Sequence, residues 1–262
     1  MTDSRSRLPL AVANLLAFAV VIVVNALSTA LPLGGMTPGQ LSDLYPNLFV
    51  PAGLTFSIWG VIYILLGIYV VYGLVVSVKK SGHSFMEKIG FLFLLSCAAN
   101  AGWIFAWQYR VVPLSLACMA VLLASLIMMY LRLGVGRSEA GTAEKFLVHM
   151  PVSVYLGWIS IATIANVTAL LVSYKWNGFG IGEQVWAIVM IGIGVLLGLA
   201  FLFLRKDIFS TLVIDWAVLG ILIKRTATDN GTTLAVVVAT IVGICLLTMG
   251  IIAQVARGKV YR

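Results

Sequence analysis

Long apolar runs separated by short polar or basic connections dominate this chain. About eight of them can be drawn, near residues 8–31, 54–78, 89–108, 112–131, 146–174, 185–204, 208–223 and 233–256. A bilayer-spanning helix needs about 20 apolar residues. The pattern therefore predicts an all-α integral membrane protein, a polytopic bundle of about eight transmembrane helices. The first run lacks a small-residue cleavage site and is read as a retained helix. Residues 32–53 break the pattern. Four prolines, four glycines and a turn signal at Ser42 and Asp43 predict a long connection outside regular structure. A connection of that length is either a lid over a binding site or a passive surface link.

Within the runs, three helices carry aromatic and asparagine stripes. Trp59, Tyr63 and Gly67 recur every fourth residue and share one face. Asn100, Trp103 and Trp107 follow at spacings of three and four. Tyr155, Trp158, Ala162 and Asn166 follow at three, four and four. Lipid-facing surface needs apolar residues, but it does not need such stripes on three helices. They are read as walls of a shared site for a flat apolar ligand, with the asparagines and tyrosine hydroxyls as its polar groups. Tyr45, Pro46, Pro51 and Phe56 form the lid part of this reading. The same rings also suit helix packing or an interfacial belt, and the belt is the expectation for Trp107 and Trp176 near span ends. Asn14 and Asn25 in the first run are expected to bond across helices.

Composition excludes a soluble domain: 61% of 262 residues are hydrophobic, 10% are charged, and mean hydropathy is +1.08. The net charge of +8 comes from loop residues. Arg5, Arg7, Lys79, Lys80, Lys88, Arg132, Arg137, Lys145, Arg205, Lys206, Arg257, Lys259 and Arg262 fall on one side of the alternating spans. Arg110, Lys175, Lys224 and Arg225 fall on the other. The basic side is expected to be cytoplasmic, which puts both termini there and residues 32–53 outside. This sorting assigns the charge to topology and leaves no role for nucleic acid. Cys97, Cys118 and Cys245 have no paired spacing and are expected as small buried hydrophobes. His83 and His149 have no partner motif, so neither a metal site nor a catalytic constellation is expected. Asp215 lies mid-span, where a carboxylate costs about 2.5–3.5 kcal/mol on insertion scales, and it either ties helices or carries protons. Lys224, at a span end, is expected to snorkel.

These stripes also carry a family resemblance. Pro51, Phe56, Trp59, Tyr63 and Gly67 resemble the proline-ended loop and W-x3-Y-x3-G helix of the tryptophan-rich sensory protein family, which includes the translocator protein. Asn100 and Trp103 match its N-x2-W, and Pro151, Tyr155, Trp158, Ala162 and Asn166 its P…Y-x2-W-x3-A-x3-N. Members usually have five helices; here about a third of the chain follows Tyr174, and Tyr45-Pro46 replaces the loop's usual tryptophan and Lys-Pro pair. The resemblance thus divides the chain into residues 1–174, like that family's membrane domain, and residues 175–262, three additional helices. It implies a pocket among the first five helices for porphyrin- or sterol-like ligands, in a sensor or carrier. It also implies a homodimer, no required cofactor, a tetrapyrrole as one candidate ligand and, more distantly, light-dependent porphyrin degradation; the expected location is a prokaryotic plasma membrane. The alternative expectation is a proton-coupled transporter of a small hydrophobic substrate that uses Asp215.

Overall fold

A computed structural model describes residues 7–31, 33–79, 85–228 and 233–258. Pro32, His83, Lys80 and the terminal basic residues Arg5, Lys259 and Arg262 lie outside the described residues. Eight long helices follow one another: α1 (Arg7–Ala30), α2 (Ile58–Lys79), α3 (Leu92–Gln108), α4 (Val112–Leu133), α5 (Met150–Ser173), α6 (Glu183–Arg205), α7 (Ile208–Thr228) and α8 (Leu234–Ala256). Six of them are long and apolar enough to cross a membrane. The 17-residue α3 is shorter, and α7 carries Asp215, Lys224 and Arg225. Both are nevertheless packed into the bundle, α3 against α1 and α4, and α7 against α5, α6 and α8. Large apolar side chains such as Leu16, Val20, Ile64, Leu196 and Ile252 point outward, as a lipid solvent requires.

Helix α5 is the centre. Its residues from Pro151 to Ile161 are all buried, so it is apolar all round and enclosed by neighbours. It is preceded by a single π-turn, Lys145–His149. Pro151 follows inside the continuous helical stretch from Thr142, with its missing N–H and ring falling beside the wider π-turn. Small residues let α7 close in on it. A Cβ on Gly157 would lie 2.8 Å from the Ser210 carbonyl oxygen, and Ser210 Oγ donates to the Ser153 carbonyl at 2.9 Å. Without a hydrophobic force between helices in lipid, such close approach and interhelical bonding hold them together.

Contacts mark the two ends of the bundle. At one end Arg7 pairs with Glu87, Lys88 lies 3.8 Å from Glu144, and Gly136 meets the backbone of Arg205. Here Asp207 is fully buried. Its Oδ1 accepts the N–H groups of Phe209 and Ser210, capping α7, and its Oδ2 accepts the Tyr130 and Ser210 hydroxyls. At the other end Lys224 pairs with Asp43 and Gln108 donates to the Ser28 carbonyl. Lys224 is therefore an ion-pair partner of the connection after α1 and not a free snorkelling side chain.

That connection is more ordered than its composition implies. Pro38–Asp43 forms a short helix. Thr37 caps it and exchanges bonds with Gln40, and Pro38 occupies its first turn. Thr-Pro-Gly-Gln satisfies a capping box with proline just inside the start, and this outweighs Gly39. Ser42 and Asp43 are its last turn, not a free-standing turn. Of the three cysteines expected to be buried, Cys97 is; Cys118 is half-buried and Cys245 is exposed on the outer surface of the bundle.

Candidate functional site

The three stripes face one another. The Trp59 ring lies at the middle, stacked on Tyr63 one turn along (5.4 Å, 21°) and on Trp103 of α3 (6.0 Å, 28°). From α5, Tyr155 (6.1 Å, 69°) and Trp158 (6.2 Å, 81°) meet it edge-on. The column continues outward. Trp103 stacks on Trp107 (6.2 Å, 17°), and Trp107 packs on Tyr45 of the connection at 5.6 Å. Phe56 meets Trp158 edge-on at 5.9 Å. Every contact is stacked, tilted or T-shaped at the separations that ring quadrupoles favour. Ala162, half-buried, lies one turn beyond Trp158 on α5. Phe18 of α1 packs over Gly67, its ring 3.6 Å from where a Cβ would lie, an ordinary contact distance.

The polar groups of the stripes bond mainly to other helices. Asn100, with no exposed surface, accepts from Asn25 Nδ2 at 2.8 Å and donates to the Tyr155 hydroxyl at 2.8 Å. That relay joins α1, α3 and α5. Asn166 Oδ1 accepts from Trp103 Nε1 at 3.2 Å, and its Nδ2 donates to Ser115 Oγ at 3.0 Å, joining α5, α3 and α4. Tyr63 lies beside Asn100 and Tyr155. Trp158 is only 3% exposed, and its Nε1 has no acceptor within the protein. Asn25 thus bonds across helices as expected; Asn14 is buried with its side-chain oxygen unpartnered.

The connection after α1 is fastened on both sides of the column. Trp107 Nε1 donates to the Pro38 carbonyl at 3.2 Å. Asn47 ties its own turn, accepting from the N–H groups of Phe49 and Val50. Pro51 is buried, and beyond it Ala52 N–H donates to the Gly220 carbonyl at 2.9 Å. Trp216 Nε1 donates to the Thr55 carbonyl at 3.0 Å. Helix α7 therefore holds the inner end of the connection. Burial raises the Tyr45 phenol above its ordinary value and the nearby Arg110 partly offsets this, so the ring over Trp107 is neutral at physiological pH.

Two expectations are corrected. Trp107 is 7% exposed and lies inside, under Tyr45, because the connection folds over the end of α3; it is no belt residue. The stripe residues also meet as packed rings and do not surround the open cavity near the connection. That cavity, about 430 Å3, lies beside the column between the connection, α5 and α6. Leu48, Phe49, Leu171, Trp176 and Trp186 line it, and of the expected site residues only Pro46 borders it. Sequence reading missed Trp186, whose Nε1 donates to Gly178 and whose ring packs on Trp176 at 5.2 Å. It also missed Ser115, which a serine in the first turn of α4 does not announce. Asp215 faces α8, where Thr248 donates to its Oδ2 at 2.9 Å; its Oδ1 is buried without a partner.

No curated protein and no solved structure matches this chain. A family model does, over residues 11–253, so the match extends past the stripes through the last three helices. An integral helical membrane protein with these stripes on α2, α3 and α5, matched over nearly its whole length, belongs to the TSPO-like protein family.

Proposed function

We propose that the protein binds flat hydrophobic molecules, porphyrin- or sterol-like, against the aromatic column among α1–α5, and serves as a sensor or carrier for them. The convergence of Trp59, Tyr63, Trp103, Tyr155 and Trp158 from three helices supports this reading best. An apolar ligand already dissolved in the bilayer gains little from burial alone. Selective binding must come from stacking, about 0.5–1.5 kcal/mol per ring pair, and from oriented hydrogen bonds. The unpartnered Trp158 N–H offers one such bond to a ligand carbonyl or carboxylate. Because the rings pack on one another, a ligand exchanges ring–ring for ring–ligand contacts.

Titrating the purified protein with protoporphyrin while following tryptophan fluorescence tests the proposal. Trp59→Leu should weaken binding about tenfold, equivalent to ~1.4 kcal/mol or one strong ring contact. Trp158→Phe keeps the ring and removes the donor, so it should weaken carboxylate-bearing ligands more than their esters. Unchanged titrations in both variants would end the proposal.

A second reading rests on Asp215, whose Oδ1 is buried and unpartnered in mid-span. In it the protein couples proton movement to uptake of a small hydrophobic substrate. Asp215→Asn preserves shape and can still bond Thr248. Loss of proton-dependent flux with ligand affinity intact supports coupling; unchanged flux leaves Asp215 as a tie between α7 and α8.

The functional orientation proposed is termini inside, with the connection after α1 outside. Ser42 is 8% exposed, so the reporter belongs at its exposed neighbour Leu44. In a cysteine-free background, Leu44→Cys should react with an impermeant maleimide on intact cells. Reaction only after permeabilisation reverses the orientation.

A further inference from the structure

A groove of about 550 Å3 runs down the flank of the bundle between α4, α5 and α6. Its walls are apolar, with Leu123, Ile127, Ile164, Ile193 and Leu197 among them. The hydroxyls of Ser160 and Thr163 also line it, but they donate to carbonyls of their own helix. From Ile193 to Leu204 the α6 wall spans twelve residues, eleven rises or about 16 Å of helix at 1.5 Å each. That is close to half of the ~30 Å hydrocarbon core, the depth of one leaflet.

One end of this groove is cationic. Arg137 and Arg205 both line it. The backbone brings them together: Gly136 sits directly against the Arg205 carbonyl. The Arg205 guanidinium lies 5.6 Å from the centre of the Tyr130 ring, which fixes its position at the mouth. None of the ion pairs among the described residues involves either arginine. The ends of α4 and α6 here also carry Arg132 and Lys206.

We propose that this groove is a binding site for an anionic phospholipid, with its phosphate between Arg137 and Arg205 and an acyl chain along the Ile193–Leu204 wall. A zwitterionic lipid could fill the same walls, but its own ammonium would offset the phosphate charge. Basic pockets between transmembrane helices recognise anionic headgroups in this way.

The test is native mass spectrometry of the full chain reconstituted with equal phosphatidylglycerol and phosphatidylcholine. The unaltered protein should retain phosphatidylglycerol about thirtyfold over phosphatidylcholine, the scale expected of two basic side chains at a headgroup. Arg137→Gln with Arg205→Gln should abolish that preference. Arg132→Gln with Lys206→Gln, which removes two charges at the same end outside the groove, should keep it. Ala200→Phe leaves both arginines and fills the groove, so it should cut lipid retention even if the double glutamine variant fails to fold. No preference in the unaltered protein, equal loss in the control pair, or full retention in Ala200→Phe would each overturn the proposal.

Discussion

Gly136→Ala should be among the most destructive single changes in this protein. Two independent penalties coincide there. The backbone has φ +72°, the left-handed region, where an L side chain costs roughly 1–2 kcal/mol. The added Cβ would also overlap the carbonyl oxygen of Arg205; a Cβ is fixed by its own backbone and its partner is backbone, so no rotamer change relieves it. The end of α4 must then move off the end of α6. Close by, Asp207 is buried under Tyr130 and caps α7, and a shift there exposes or unpairs that carboxylate. Together these should destabilise the bundle by more than about 3 kcal/mol, in the range reserved for strain and buried polar loss. Gly35 is the control, with φ +81° and nothing within 4 Å of a built Cβ. Gly35→Ala should carry only the conformational penalty. Thermal unfolding in detergent decides it: equal melting temperatures for the two variants would show that the contact with Arg205 is not what matters at Gly136.

How much of this could be read in the chain depends on the range of the interaction. The spans were legible because twenty consecutive apolar residues have few other fates. The stripes were legible because spacings of three and four report one helix face, whatever that face meets. Such spacing does not say which faces meet, and here Trp59 touches α3 and α5 at once. The belt reading of Trp107 failed for the same reason. Closeness to a span end looks like an interface until a connection folds over it. The short helix after α1 was missed although its signal was present, since Thr37 and Gln40 make a capping box that the surrounding prolines and glycines obscured. Asp207 carries a local signal too, since aspartate ahead of Ile208 and three residues before Ser210 is a fair N-cap pattern. Contacts such as Gly136 with Arg205, or Ala52 with Gly220, have no local signature at all.

Asn100→Leu should have the next largest effect, and its pattern matters more than its size. Asn100 is at the middle of a relay from Asn25 on α1 to Tyr155 on α5. Leucine has the same branching and number of side-chain heavy atoms, but it is larger and serves neither neighbour. Asn25 keeps one bond, to the Val21 carbonyl, whereas the Tyr155 hydroxyl loses the donor it accepts from. Leaving buried polar groups unserved costs about 1–3 kcal/mol each in proteins generally. Interhelical bonds in membranes average only about 0.6 kcal/mol, because separated helices find other partners. The expected loss is therefore about 1–3 kcal/mol, below that of Gly136→Ala. Tyr155→Phe removes the same Asn100–Tyr155 bond from the other side. If the relay is a unit, the double variant should be less destabilised than the sum of the singles, since the shared bond is lost only once. Strict additivity in unfolding measurements would mean that Asn100 and Tyr155 act separately. The Trp59 column also rests on this relay, through Tyr155. Asn100→Leu should accordingly weaken protoporphyrin binding without removing any ring of the column, and unchanged binding would show that the column holds its geometry without the tie.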